Sequence, residues 1–219
     1  MDYKDSPKDF FENYHIKYDD ERALINPNWE WWRTKYHYNL VENGIIDILL
    51  ENEHSIENQT ILDIGGGTGH WIDFYDKYLQ ASEINMVDFS SIVVRRLKER
   101  YPKVKVFEQD ISTFNKMFLN KFDIINAIGI LFHISDDLIW EKAIRNLCQY
   151  LVSGGIAIVG GEFGPNTRQV SHHRRARSLK YWTEVVEECG CRITSVKHYD
   201  WVSGASNGGI LDNLLAFKK

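Results

Sequence analysis

Apolar residues along this chain follow two periods. Between residues 60 and 160, short apolar runs alternate with stretches whose apolar positions recur every three to four residues. The runs 60–64, 83–87, 104–108, 122–128 and 155–159 are predicted strands. The stretches 69–79, 91–101, 137–152 and a short one at 114–119 are predicted helices. Strands that stay apolar along their length, separated by helices, describe a parallel sheet covered on both faces. The last third differs. A predicted helix at 178–189 is followed by strand-like runs at 192–199 and 209–217, joined by a loop at 202–208 rich in Ser, Gly and Asn. Two strands joined without a helix predict antiparallel pairing at the sheet edge. The expected fold is therefore α/β: a doubly wound, mostly parallel seven-stranded sheet whose last strand is antiparallel.

Before residue 60 the pattern is helical. Residues 7–20 are charged and aromatic, with Phe10, Phe11, Tyr14 and Tyr18 near helical spacing. Asn26-Pro27 marks a boundary, and 29–50 carries one apolar face through Leu40, Val41, Ile45, Ile48 and Leu49. This divides the chain into an N-terminal helical lid or extension, 1–52, and a core domain, 53–219.

Composition narrows the classes. A chain of 219 residues suits one α/β domain. The net charge of −5 argues against a broad nucleic-acid or anionic-membrane surface. No apolar run is long enough to span a bilayer, and the polar, acidic start is unlike an export leader, so the cytoplasm is the expected compartment. Cys148, Cys189 and Cys191 are too few and odd in number for a disulfide framework, and no second pair completes a zinc site. Asp136 and Asp137 are the only acids clustered near the right strand end, so no metal is expected.

The sharpest motif is Asp63-Ile64-Gly65-Gly66-Gly67-Thr68-Gly69, between a predicted strand and a predicted helix. Glycines let backbone approach a ligand, and the helix start adds unpaired N–H groups. The dinucleotide pattern G-x-G-x-x-G fails from every start: from Gly65 its last position is His70, from Gly66 its middle is Thr68, and from Gly67 its last is Ile72. No Lys-Ser/Thr pair supports a nucleoside triphosphate loop either. Two acids follow in register. Asp88 ends the second strand, where an acid accepts from ribose hydroxyls. Asp110 ends the third, where an acid accepts from an exocyclic adenine amine. Either one alone is as well explained as a solvated acid or helix cap; three acids at strand ends along one sheet edge are not.

With these residues in place, 60–159 resembles the class I S-adenosylmethionine-dependent methyltransferases. The match continues through Phe122-Asp123-Ile124-Ile125, Leu131-Phe132-His133-Ile134 and Leu151-Val152-Ser153-Gly154-Gly155, and the tail 209–218 resembles the family's last antiparallel strand. Two departures are mild: Gly66 replaces another small residue, and Ser153 a common proline. The resemblance implies S-adenosyl-L-methionine as cofactor. Gly65, Gly67 and Gly69 would lie along its methionine part, with Asp63 steadying the loop or the ammonium. Asp88 would hold the ribose and Asp110 the adenine amine, with Phe89 and Ile111 on the ring faces. Asn126 and the backbone to Gly129 would border the sulfonium.

Methyl transfer from a sulfonium needs mainly alignment and a dry site. A base is needed only if the acceptor loses its proton early. His133, past the fourth strand, is the candidate catalytic residue, against the alternative of a histidine tied to the backbone. Trp29, Trp31, Trp32, Tyr36 and Tyr38, with Arg33 and His37, outnumber what one packed helix needs, so Trp32, Tyr36 and His37 are candidate acceptor contacts. His172-His173-Arg174-Arg175-Ala176-Arg177 points to an anionic group on the acceptor, through His172 and Arg174, or to a solvated basic helix start. The expected function is transfer of methyl to an O or N of a small molecule. The alternatives are a peptide or protein acceptor, or a non-catalytic domain that keeps the fold.

Overall fold

A computed structural model describes residues 7–24, 28–198 and 212–219. The boundary expected at Asn26-Pro27, the loop 202–208 and residues 209–211 of the last predicted strand lie outside the described residues. In chain order the elements are α1 (Pro7–Lys17), α2 (Trp31–Glu51), β1 (Thr60–Ile64), α3 (His70–Lys77), β2 (Glu83–Asp88), α4 (Ser91–Arg100), β3 (Lys105–Glu108), β4 (Phe122–Ile128), α5 (Asp137–Tyr150), β5 (Leu151–Gly164), β6 (Arg168–Ser171), β7 (Arg174–Ser178), α6 (Leu179–Glu188), β8 (Arg192–His198) and β9 (Asp212–Lys218). Short 3₁₀ turns occupy Glu21–Leu24, Lys116–Phe118 and Leu131–His133.

Strands β3, β2, β1, β4 and β5 lie side by side in parallel. β9 runs antiparallel on β5, and β8 antiparallel on β9. This is the seven-stranded arrangement expected. Each strand feeds alternate side chains to opposite helix layers. Leu62, Ile125, Ala157 and Phe217 join the core with Trp140, Ile144, Leu147, Trp182 and Val186 of α5 and α6. Ile61, Ile124, Ile158 and Ala216 join the core with Ile45 and Ile48 of α2, Trp71 and Phe74 of α3, and Val93 and Leu97 of α4. Burial on both faces is why these runs read as continuously apolar.

One region departs from expectation. The stretch at 172–177 does not begin a helix. It belongs to a hairpin in which β6 and β7 pair antiparallel, and β7 adds to the end of β5 at Phe163 and Gly164. β5 is correspondingly long, with 14 residues. Alternation in Arg174-Arg175-Ala176-Arg177 is masked because Arg177 is a buried cation.

Candidate active site

The strands of the parallel sheet end together, and the glycine loop turns off β1 there. Gly65, Gly67 and Gly69 adopt φ of 74°, 52° and 91°, left-handed values that side chains resist. Space is tight at Gly66: a Cβ there would come within 2.6 Å of the Met86 side chain, which would have to shift. The Gly65 N–H still donates to the Val87 carbonyl at 2.8 Å, so the loop begins as an extension of the β1–β2 ladder.

Asp63 is fully buried and pairs in register with Asn126 of β4. Asn126 Nδ2 donates to Asp63 Oδ1 at 2.7 Å, and Tyr75 donates to Asn126 Oδ1 at 3.2 Å, which fixes the amide's orientation. Asp63 Oδ2 is buried with no hydrogen-bond partner. Burial pushes this carboxyl up to about 7. Asp88, also buried, accepts from the Ser90 N–H at 2.8 Å through Oδ1 and weakly from the Gly67 N–H at 3.5 Å through Oδ2. Burial pushes it up to about 6, against those hydrogen bonds. Two buried acids flanking one glycine loop are acceptors short of donors.

Asp110 is different. It is exposed, and its Oδ1 accepts from the Ser112 N–H at 2.8 Å within its own turn. Ile111 is buried, in the same core as Ile64 and Leu131.

His133 is half-buried in the turn after β4. Its Nδ1 lies 3.1 Å from the His173 carbonyl. A carbonyl only accepts, so Nδ1 carries the proton and Nε2 the lone pair. Burial pushes its pKa down to about 3, and the neighbouring charges of His173 and Arg174 push the same way. The imidazole is therefore neutral and a weak base.

The cover over this region comes from α1. Phe11 packs edge-on against Phe89 and His133, with ring centres 5.9 and 5.0 Å apart. Phe10 stacks on His173 at 5.8 Å and meets His172 edge-on. Glu12 accepts from the Ser91 N–H and hydroxyl at 2.9 Å, capping α4 from outside, and Lys8 pairs with Glu108 at 2.7 Å. The aromatic pair Phe10-Phe11 was visible in the sequence, but nothing local tied it to Phe89 or His133.

The other predicted acceptor contacts are dispersed. Trp32 and Tyr36 are exposed on α2, and Trp32 donates to Glu30. His37 packs against Trp29 and Tyr38. α2 meets the start of α3, next to the glycine loop, through Tyr38 and Glu42. Tyr38 stacks on His70 at 3.7 Å, and Glu42 lies 2.9 Å from His70 Nε2. His172 is exposed at the turn between β6 and β7, and Arg174 opens β7 half-buried beside His133. The next two arginines are engaged elsewhere. Arg175 holds Asp137 through two bonds of 2.9 and 2.7 Å, and Arg177, 1% exposed, donates to Asp137 and to the Ile134 carbonyl. Among the described residues no group of acids, histidines and cysteines is arranged to hold a metal ion, and no helix is long and apolar enough to cross a membrane.

Comparison with known proteins agrees with this geometry. A family model for the methyltransferase domain matches residues 61–155. No curated protein matches by sequence. Among solved structures, the chain is similar to 1,6-didemethyltoxoflavin-N1-methyltransferase of Burkholderia thailandensis, solved with its substrate and S-adenosylhomocysteine. The TM-score is 0.67 at 15% identity, covering 96% of this chain and 85% of that one. It is similar to the N-methyltransferase NodS of Bradyrhizobium japonicum, solved with S-adenosylhomocysteine, at TM-score 0.64 and 17% identity over 91% and 95% of the two chains. It is also similar to the [4+2]-cyclase SpnF, at 0.61 and 16% over 78% and 79%. At these identities the likeness speaks for the fold.

The residues fit the cofactor of that fold. S-adenosylmethionine carries an ammonium, a sulfonium and two ribose hydroxyls. The unpartnered Asp63 Oδ2 and the weakly engaged Asp88 Oδ2 are buried acceptors at the glycine loop, and they match those donors and charges in kind.

Proposed function

We propose that this chain, in which a family model for the methyltransferase domain matches residues 61–155 within a class I fold, is an S-adenosylmethionine-dependent methyltransferase that methylates a nitrogen or oxygen of a small molecule. The observation that carries the acceptor reading is the aromatic closure. Phe10 and Phe11 of α1 meet Phe89, His133 and His173 over the strand ends. Such a cover suits a compact acceptor and sheds water from the reacting atoms. A peptide or a nucleic acid would need an open groove, and the net charge of −5 disfavours the latter.

When bound, S-adenosylmethionine supplies a methyl group already activated on sulfur. Asp63 and Asp88 would hold its ammonium and ribose, and the rings of Phe11 and Phe89 would exclude water beside them. His133, neutral at physiological pH, would border the acceptor and align it. An amine acceptor, attacking in its neutral form, suits this site, because the proton it then carries leaves after transfer and needs no strong base; the two N-methyltransferases of like fold support that choice. Orientation of this kind accounts for up to about 7–11 kcal/mol of a barrier. Arg174 and His173 lie beside His133, which favours an acceptor carrying one anionic group at most.

The test is to incubate the protein with S-adenosylmethionine and fractionated small metabolites, and to follow S-adenosylhomocysteine formation and mass gain in the metabolite. Product that forms with a small amine or alcohol fraction supports the reading. Product that forms only with peptide or RNA fractions overturns the acceptor class. Cofactor binding without turnover on any fraction favours a domain that keeps the fold without transferring methyl.

A further inference from the structure

All three cysteines of the chain, far apart in sequence, converge at one point behind the sheet. Cys148 lies on α5 and is 1% exposed, Cys191 precedes β8 and is 4% exposed, and Cys189 caps the C-terminus of α6 half-buried. The turn that ends α6 brings the last two together. Gly190, at φ 76°, lets the N–H groups of both Cys189 and Cys191 reach the Val186 carbonyl, at 3.1 and 3.2 Å. Cys148 and Cys191 belong to one buried cluster, and Cys189 packs against it. Arg145, one turn before Cys148 on α5, places Nη1 3.8 Å from Cys189 Sγ while Nη2 is anchored on Glu188 at 2.6 Å.

We propose that Cys189 is a peroxide-reactive thiol and that Cys148 resolves its oxidised form into a disulfide joining α5 to the end of α6. The three parts of a redox site are present: a partly exposed sulfur, a cation to stabilise its thiolate, and a buried thiol within reach. The neighbouring Cys148 and the Arg145 guanidinium hold the Cys189 thiol below the usual thiol range, whereas Cys148 is held protonated. The Cys189 thiolate attacks one oxygen of a hydroperoxide, forming an S–O bond and breaking the O–O bond. With hydrogen peroxide, hydroxide leaves and Cys189 becomes a sulfenic acid. The Cys148 sulfur then attacks the Cys189 sulfur, forming the S–S bond. The sulfenic oxygen leaves as water with the Cys148 proton. Two thiols lose two electrons, and the peroxide is reduced to two waters. Cys191 stays reduced, because the single glycine between it and Cys189 makes a strained ring.

The test uses the full chain, reduced, then exposed to hydrogen peroxide at neutral pH, alkylated under denaturing conditions and digested for mass spectrometry. The expected product is a Cys148–Cys189 cross-linked peptide pair with Cys191 alkylated. In Cys148→Ser, Cys189 should instead be captured as sulfenic acid by a 1,3-diketone trap. Arg145→Gln should slow the loss of the Cys189 thiol by about threefold or more, as its thiolate fraction falls. A cross-link between Cys189 and Cys191, equal survival of all three thiols, or a Cys189 no faster than Cys148 would each overturn the proposal. The wild-type peptide map decides without any variant, so a misfolded Cys148→Ser leaves the result standing. Because the readout is thiol state, it is separate from whether the chain transfers methyl.

Discussion

Asp88 ends β2 with one oxygen bonded to the Ser90 N–H and the other held only weakly by Gly67. Its side chain serves the loop more than the core, so Asp88→Ala should keep the fold by circular dichroism. Calorimetry should show S-adenosylhomocysteine binding weakened by about 1.5–3 kcal/mol, the worth of hydrogen bonds to a charged group; unchanged affinity would remove Asp88 from the site. The position of Asp88 was legible in the sequence: it ends β2 just before Ser90 caps α4. His133 was legible in position and not in protonation. Burial and the facing His173 and Arg174 take it to about 3, out of the range of a neutral-pH base. The pH profile of kcat/KM should therefore carry no inflection near 6–7 owed to His133. His133→Ala should cost less than the 10²–10⁴ expected of a general base. A larger loss, together with a vanished inflection, would restore the base.

At the scale of elements, α1 and α2 divide the N-terminal work. α1 reaches across the strand ends, and its helix pattern said nothing of that, since its partners lie 78 to 163 positions away along the chain. A chain beginning at Asp19 should retain the sheet's circular dichroism and lose at least about tenfold in kcat/KM, because water enters the site. Full activity would reduce α1 to packing. α2 is joined to the glycine loop through His70, whose Nδ1 lies 3.3 Å from Glu21 and Nε2 2.9 Å from Glu42. Tyr38 stacks on its ring, and the buried Asp63 also feels its charge. A neutral imidazole has one N–H for two carboxylates, whereas the imidazolium serves both. Burial lowers its pKa, but Glu21 and Glu42 outweigh burial and the net shift is upward. A raised folded pKa gives stability that is complete below the unfolded value of 6.5 and lost as pH rises through the folded one. Between pH 6 and 9, the wild-type Tm should fall more steeply than that of His70→Gln. Parallel curves would show that the bridge contributes nothing.

Across the whole molecule, the two buried acids at the glycine loop should couple cofactor binding to protons. Their folded values, about 7 for Asp63 and about 6 for Asp88, stand above the ordinary 3.8. For raised carboxyls the stability contribution is full below 3.8 and is lost as pH climbs through 6 and 7, where two charges sit buried and short of donors. A cationic cofactor favours the ionised forms. Binding of S-adenosylmethionine should strengthen from pH 5 to 8 and release protons near pH 6–7. Calorimetry in two buffers of different ionisation enthalpy reads that release; proton uptake, or none, would contradict the assignment of these acids to the cofactor.

Read alone, the sequence determined what depends on local rules. Strands buried on both faces must be apolar, so their runs stand out. A backbone forced to positive φ must use glycine, so the loop at Gly65–Gly69 stands out. An acid near the carboxyl end of a parallel strand lies at one sheet edge, so Asp63 and Asp88 stand out. Tertiary structure decided what depends on distant partners. It set Phe10 and Phe11, rather than Trp32 and Tyr36, against Phe89 and His133. It turned 168–178 into a hairpin and bound Arg175 and Arg177 to Asp137 instead of leaving them to a ligand. It gathered Cys148 and Cys191 into one buried cluster with Cys189 packed against it. Charge pairing, burial and proton affinity belong to the neighbours that folding supplies, and periodicity along a chain does not contain them.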